Sequence, residues 1–325
     1  MQTSRAFRGL DDRTLNRAIK IMVLTLVIGV PTIAVLYWMD RHVDAAPAMA
    51  DRTVAAAEEA VRTKPDDLAT RNHLAAAYVT ADRYADGIAQ FSQVLTSDSK
   101  NRPALLGRGI ALITTKQYDA AAADFQAIVD GSKGGEFAAT DPQLQQAYYE
   151  LGVIALEQQR PADAIAPLER ALKINSADAD ALYRYGMALI GTGDPKTGVI
   201  AIRRAVMFVP SGWCEPYAGL VTGYTALADQ PGIGYANGMV AFCAGRLDEA
   251  STTLGALTQG PKKIDALLGL ALVSATRGDA TAATGLYQQV LAEEPSNASA
   301  LIGLGQLGGS NAHASQPAAS PAGSN

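Results

Sequence analysis

Apolar and small residues recur along this chain at the spacing of helix faces, and a short phrase punctuates them on a period of about 34 residues. The phrase reads Gln-Tyr-Asp-Ala-Ala at 117–121, Arg-Pro-Ala-Asp-Ala at 160–164 and Arg-Leu-Asp-Glu-Ala at 246–250. Each copy lies about midway between an upstream pair ending in Gly and a downstream Pro or polar break. With that Gly at position 8, copies start near Leu68, Arg102, Gln145, Ala179, Pro231 and Ile264. Gly109, Gly152, Gly186 and Gly238 then hold position 8, and Ala121, Ala164 and Ala250 fall together in the second half. Each copy predicts two helices joined by a turn. A hairpin of that size cannot bury its apolar stripe alone, so the copies must stack.

In frame, the small residues near positions 8 and 20, the aromatic or Leu near position 24 (Phe91, Phe125, Leu168, Leu254, Tyr287) and the Pro near position 32 (Pro210, Pro295) resemble the tetratricopeptide repeat (TPR) family. The resemblance implies an all-α fold: an α-solenoid of TPR helical hairpins over residues 48–306, used as a binding surface rather than a catalyst. Position 4, often Trp in the family, is taken here by Leu182 and Leu267.

Three departures from the period carry information. Thr53, Ala57, Ala60 and Pro65 fit only the second half of a repeat, which predicts a lone helix over 48–63. Residues 131–143 form a longer loop, with Gly131, Gly134, Gly135 and Pro142. Residues 213–230 are an insertion long enough for one extra helix but not a hairpin, and are expected to break the stack into two blocks. The Ser/Ala/Gly/Pro-rich tail, 307–325, is expected to be disordered.

Ahead of the repeats, residues 21–39 run without a charge. As a helix this segment spans roughly 28 Å, close to the ~30 Å hydrocarbon thickness of a bilayer. Tyr37 and Trp38 sit at its far end, and Arg5, Arg8, Arg13, Arg17 and Lys20 precede it. The asymmetry predicts a single-pass inner-membrane anchor, with a basic N-terminus (1–20) in the cytoplasm and the repeats outside it. The alternative is a secretory signal peptide cleaved near Ala48-Met49-Ala50. The bulk of the chain leaves the cytoplasm on either reading.

Composition narrows the function. Among 325 residues, 48% are apolar but only 6% aromatic, so Ala carries much of the packing. A net charge of −5 opposes a nucleic-acid role. The three histidines are scattered and suggest no metal site; no cofactor is expected. The stretch Gly131-Ser-Lys-Gly-Gly135 lacks the spacing of a phosphate-binding loop. The adjacent acidic pairs, such as Glu58/Glu59 and Glu293/Glu294, diverge on a helix and do not make an acid/base dyad.

By the resemblance, positions 2, 5, 9 and 12 of each first helix face a concave groove. Here they include Leu106, Ile110 and Ile113; Tyr149, Val153 and Leu156; Tyr183, Met187 and Ile190; and Tyr235, Met239 and Phe242, followed by Leu268 and Leu272. Two readings stay open: a groove for an apolar or amphipathic partner segment, or core that neighbouring helices or a second copy cover. The Lys/Asn set with which some TPR grooves clamp an acidic C-terminus is missing, with only Asn72, His73 and Arg184 in those slots. Cys214 lies in the insertion and Cys243 at position 13 of the next repeat's first helix. They are read either as one disulfide pinning the insertion or as two buried thiols, with a redox role as a third option. The expected function is a bacterial membrane-anchored scaffold or assembly factor that binds a partner protein outside the cytoplasm. Its arrangement is similar to the TPR subunits of cytochrome c maturation, which bind apocytochrome segments, and to translocon-associated periplasmic TPR proteins. A self-associating structural subunit is the alternative.

Overall fold

The computed structural model describes residues 49–132, 135, 138–208 and 213–314. The expected anchor, 21–39, and the basic N-terminus lie outside them. Among the described residues no helix is long and apolar enough to cross a membrane. The chain divides into two compact units, the first ending at Asp82 and the second starting at Arg83.

In the first unit, α1 (Met49–Thr63) packs against α2 (Leu68–Thr80). Val54 meets Leu74, Ala77 and Tyr78, and the Tyr78 hydroxyl donates to Glu58 at 2.7 Å. The helix expected over 48–63 is therefore present.

The second unit is a succession of antiparallel helices. It runs α3 (Tyr84–Ser97), α4 (Arg102–Thr114), α5 (Tyr118–Gly131), α6 (Pro142–Glu157), α7 (Pro161–Ile174), α8 (Ala179–Gly191) and α9 (Pro195–Phe208). It continues with α10 (Glu215–Ala226), α11 (Gln230–Cys243), α12 (Leu247–Gly255), α13 (Lys263–Thr276), α14 (Ala280–Glu293) and α15 (Ala298–Ala314). The long loop holds one 3-10 turn, Ala138–Thr140. Each helix packs mainly on its sequence neighbours.

Local chemistry sets the boundaries. First helices open on an Asx side chain that accepts from the first turn: Asn101 from the Ala104 amide, Asp178 from Ala181, Asp229 from Gly232 and Asn297 from Ala300. They close with paired backbone bonds around a left-handed residue, as at Gln159, φ 57°, where the Gln159 amide donates to Leu156 and the Arg160 amide to Ala155. Gly193, Gly245 and Gly278 hold the same place in other hairpins, with φ of 90°, 72° and 81°. The recurring phrase starts one residue later. Its Arg pairs with the acid three residues on, Arg160 with Asp163 and Arg246 with Glu249, both at 2.9 Å. Its last Ala (Ala121, Ala164, Ala250) is wholly buried against the partner helix.

Packing follows one rule. A Cβ added at a position-8 glycine would collide with the bulky residue of the second helix: Gly109 with Phe125 Cζ at 2.6 Å, Gly152 with Leu168 Cγ at 2.5 Å, Gly186 with Ile202 Cγ1 at 2.6 Å and Gly238 with Leu254 Cδ2 at 2.7 Å. The absent side chain is what lets the two helices approach this closely. Leu182 and Leu267, standing where the family often has Trp, are likewise core.

Two expectations are corrected. The insertion does supply one helix, α10, but it does not break the stack into separate blocks: one apolar core runs from Leu182 through Leu220 and Met239 to Val273. The reason is that α10 brings its own close-approach glycines. A Cβ at Gly219 would lie 2.9 Å from Met187 Sδ, and one at Gly223 would lie 2.5 Å from Val199 Cγ2. The segment expected to be disordered from 307 is helical at its start, because α15 continues to Ala314 and Leu307 packs on the last core cluster. Residues 315–325 lie outside the described residues.

Candidate functional site

The twelve groove residues divide by burial. Val153, Tyr183, Tyr235 and Met239 are core side chains. Leu106, Ile110, Ile113, Tyr149, Leu156, Met187, Ile190 and Phe242 are half-buried. At the fourth repeat the inserted helix covers the stripe. Gly219 of α10 sits over Tyr183 and Met187, and Gly223 sits over Ile190. Four of the twelve are thus buried, and at the fourth repeat α10 lies over Tyr183, Met187 and Ile190.

It opens a cleft elsewhere, of about 780 Å³, in the C-terminal half of the second unit. Ile200, Val206 and Met207 of α9 form one side, and Ile264, Leu268 and Leu272 of α13 with Ile302 of α15 form the other. Tyr217 of α10 and Tyr235 and Met239 of α11 close the base. Only Tyr235 and Met239 of the twelve reach it, joined by the expected Leu268 and Leu272. Ile200, Met207 and Ile302 are exposed at 55%, 47% and 57%. They are half of the large apolar side chains that the described residues leave exposed, and they share one cleft. A cluster of this kind marks an interaction surface, whereas scattered exposed Leu or Ile would not.

An ion pair joins the two sides. Arg203 donates to both Asp265 carboxylate oxygens at 2.8 Å, 62 residues away in the chain, and to the Tyr224 hydroxyl at 3.3 Å. Burial lowers the Arg203 pKa, but the Asp265 carboxylate and the Tyr224 hydroxyl together outweigh it, so the net shift is upward and the guanidinium stays charged. Lys262 lies over the Tyr224 ring, 4.6 Å from its centroid, and 3.6 Å from Asp229. Arg204, also on the lining, donates to the Ser176 carbonyl at 3.2 Å. Arg203 is thus held by a carboxylate of the protein itself, whereas exposed Arg204 commits one donor to a backbone carbonyl.

The base is pinned by aromatic contacts. The Tyr217 and Tyr235 rings meet edge to face at 6.4 Å, and burial pushes both hydroxyl pKa values up. Just ahead of α10, Trp213 meets Tyr183 edge-on at 5.2 Å. The Tyr183 hydroxyl donates to Glu215 at 3.2 Å, and burial together with that carboxylate raises its pKa to about 12. Cys214 and Cys243 are bonded to each other, with Cα atoms 5.7 Å apart. Among the described residues no cluster of three His, Cys, Asp or Glu is placed to hold a metal.

Sequence reasoning missed Ile200, Met207, Ile302 and the Arg203–Asp265 pair. The first three carried a signal, because they are apolar at helix positions outside the packing stripe. The pair carried none.

The fold defines a solenoid of helical hairpins whose irregularity makes a cleft. The tetratricopeptide repeat profile matches residues 72–136, 135–179, 149–212 and 235–298, well over half of the sequence, and the chain belongs to this family. That places it among protein-interaction scaffolds rather than in a catalytic family. The stretch left unmatched inside the array, 213–234, contains α10. Among solved structures, the C-terminal part of a TPR repeat-containing protein from Cytophaga hutchinsonii is 16% identical with a TM-score of 0.50, over 78% of this chain and 94% of that one. MamA (41-end) from Desulfovibrio magneticus RS-1 is 18% identical with a TM-score of 0.49, over 56% and 98%. YrrB, described as a TPR protein with an unusual peptide-binding site, is 19% identical with a TM-score of 0.47, over 66% and 97%. At these identities the likeness is one of fold. No curated protein matches the chain.

Proposed function

We propose that this protein is a membrane-anchored scaffold or assembly factor that holds an uncharged, aliphatic-rich segment of a partner protein in the C-terminal cleft. The observation that carries the reading is the convergence of exposed Ile200, Met207 and Ile302 on one cleft, where Arg203 is already paired with Asp265. The aliphatic part of the lining takes side chains by shape and desolvation, while Glu294, Asn297, Ser299 and Gln306 form a polar rim. Met207 and Met239 add adaptable packing. The charge-free run at 21–39 and the basic residues before it support an inner-membrane anchor, N-terminus in the cytoplasm and repeats outside.

The test uses the full chain in lipid nanodiscs and a short, fluorescent, uncharged Leu/Ile-rich peptide. Saturable binding is expected, with Ile200→Asp and Ile302→Asp each weakening it at least tenfold. Equal binding by wild type and both variants rejects the cleft. A cross-linker at Ile200 that joins only two copies of this chain favours the self-associating subunit instead. Digestion of the repeats by protease added outside intact spheroplasts checks the topology, and protection there rejects it.

A further inference from the structure

We propose that the Cys214–Cys243 disulfide is a redox-modification site that holds the base of the cleft together, so that capture of a segment is lost when the bond is reduced. This rests on the docking reading above. Because α10 and α11 are antiparallel, the start of one meets the end of the other, and the two cysteines occupy those ends. Tyr217 lies three residues after Cys214, and Met239 four residues before Cys243. At helical spacing each sulfur therefore shares a face with a side chain of the cleft base, one turn away. The other contacts of the segment entering α10, Trp213 on Tyr183 and Glu215 on the Tyr183 hydroxyl, pull it toward α8. The disulfide is the covalent tie toward α11. Without it, non-covalent packing alone holds the two helices, through Tyr217 on Tyr235 at this end and Tyr224 in the notch at Gly232 toward the other.

Cys214 is the exposed residue of the pair and Cys243 is half-buried, so attack is assigned to the Cys214 side. The thiolate of a dithiol reductant attacks Cys214 Sγ and forms a mixed disulfide, and Cys243 leaves as a thiolate that takes up a proton. The second thiol of the reductant then attacks its own bonded sulfur and releases Cys214 as a thiol. The protein gains two electrons and two protons, and the reductant is oxidised to its disulfide.

The full chain is compared before and after dithiothreitol, with thiol titration to confirm reduction, and again after reoxidation. The expected result is at least tenfold weaker binding of the Leu/Ile-rich peptide, restored by reoxidation. Faster amide exchange across α10 and the end of α11 should accompany it, with α6 and α7 unchanged. The Cys214→Ser/Cys243→Ser double variant should match the reduced protein; if it does not fold, the reduction and reoxidation arms decide. Unchanged affinity or unchanged exchange in α10 and α11 after confirmed reduction overturns the proposal. If the oxidised protein binds no peptide, the docking reading fails on its own, and the exchange measurement still upholds or overturns the role of the bond in holding the base.

Discussion

In α4–α9 each hairpin closes on itself: a second-helix side chain fills the notch at a first-helix glycine, as Phe125 does at Gly109 and Ile202 at Gly186. The buried charge there is local too. Asp124, only 4% exposed, is held by both Nε and Nη2 of Arg108, which sits one helix away and also donates to Ser92. In α10–α15 the same notch rule operates, with Leu254 at Gly238, and Tyr287 fills a notch at Gly303 on the helix that follows its hairpin, but the order of helices changes. Helix α10 has no second helix of its own, and α11 follows it directly as another first helix. The corresponding ion pair, Arg203–Asp265, no longer closes a hairpin; it spans the insertion and edges a cleft. One extra helix has thus opened a recess in the stack without changing how any two helices pack.

The comparison breaks if the two ion pairs behave alike. Arg108→Ala strands a carboxylate that is nearly inaccessible, and is expected to cost about 4 kcal/mol, read by chemical denaturation. Arg203→Ala leaves Asp265, whose side chain is 16% exposed and reachable by water. It should cost less, about 2 kcal/mol, with faster amide exchange in α9 and α13 but not in α4 and α5. Equal costs, or exchange changes spread evenly over the second unit, would remove the distinction between hairpin-closing and cleft-edging pairs. The smallest effect lies in a hairpin turn. Gln159 holds φ 57° where other turns use glycine. Gln159→Gly relieves the clash of a Cβ with its carbonyl and should stabilise by about 0.5–1 kcal/mol. A loss of stability there would mean that side-chain contacts, not backbone strain, govern the turn.

Much of this was legible from residues close together in the chain. The period and the small residues at positions 8 and 20 involve partners within one hairpin, where spacing alone decides who meets whom. The lone helix at 49–63 and the extra helix within 213–230 were readable for the same reason. The groove was read less well. The family frame marked Tyr183, Met187 and Ile190 as candidates, but it carried no information on where α10 would lie, and α10 lies on them. Ile200 and Ile302 were passed over because they stand outside the packing stripe, which is what leaves them free to line a cleft.

The sequence by itself determined the helices, their pairing, their caps and turns and the charge-free run ahead of them, because helix periodicity and turn chemistry act over a few residues. Tertiary structure alone decided that the core would run on through the insertion, that Arg203 would meet Asp265, and that Ile200 and Ile302, far apart in the chain, would share one recess. Those contacts depend on the rotation and offset accumulated over successive helices, a sum that no single repeat encodes.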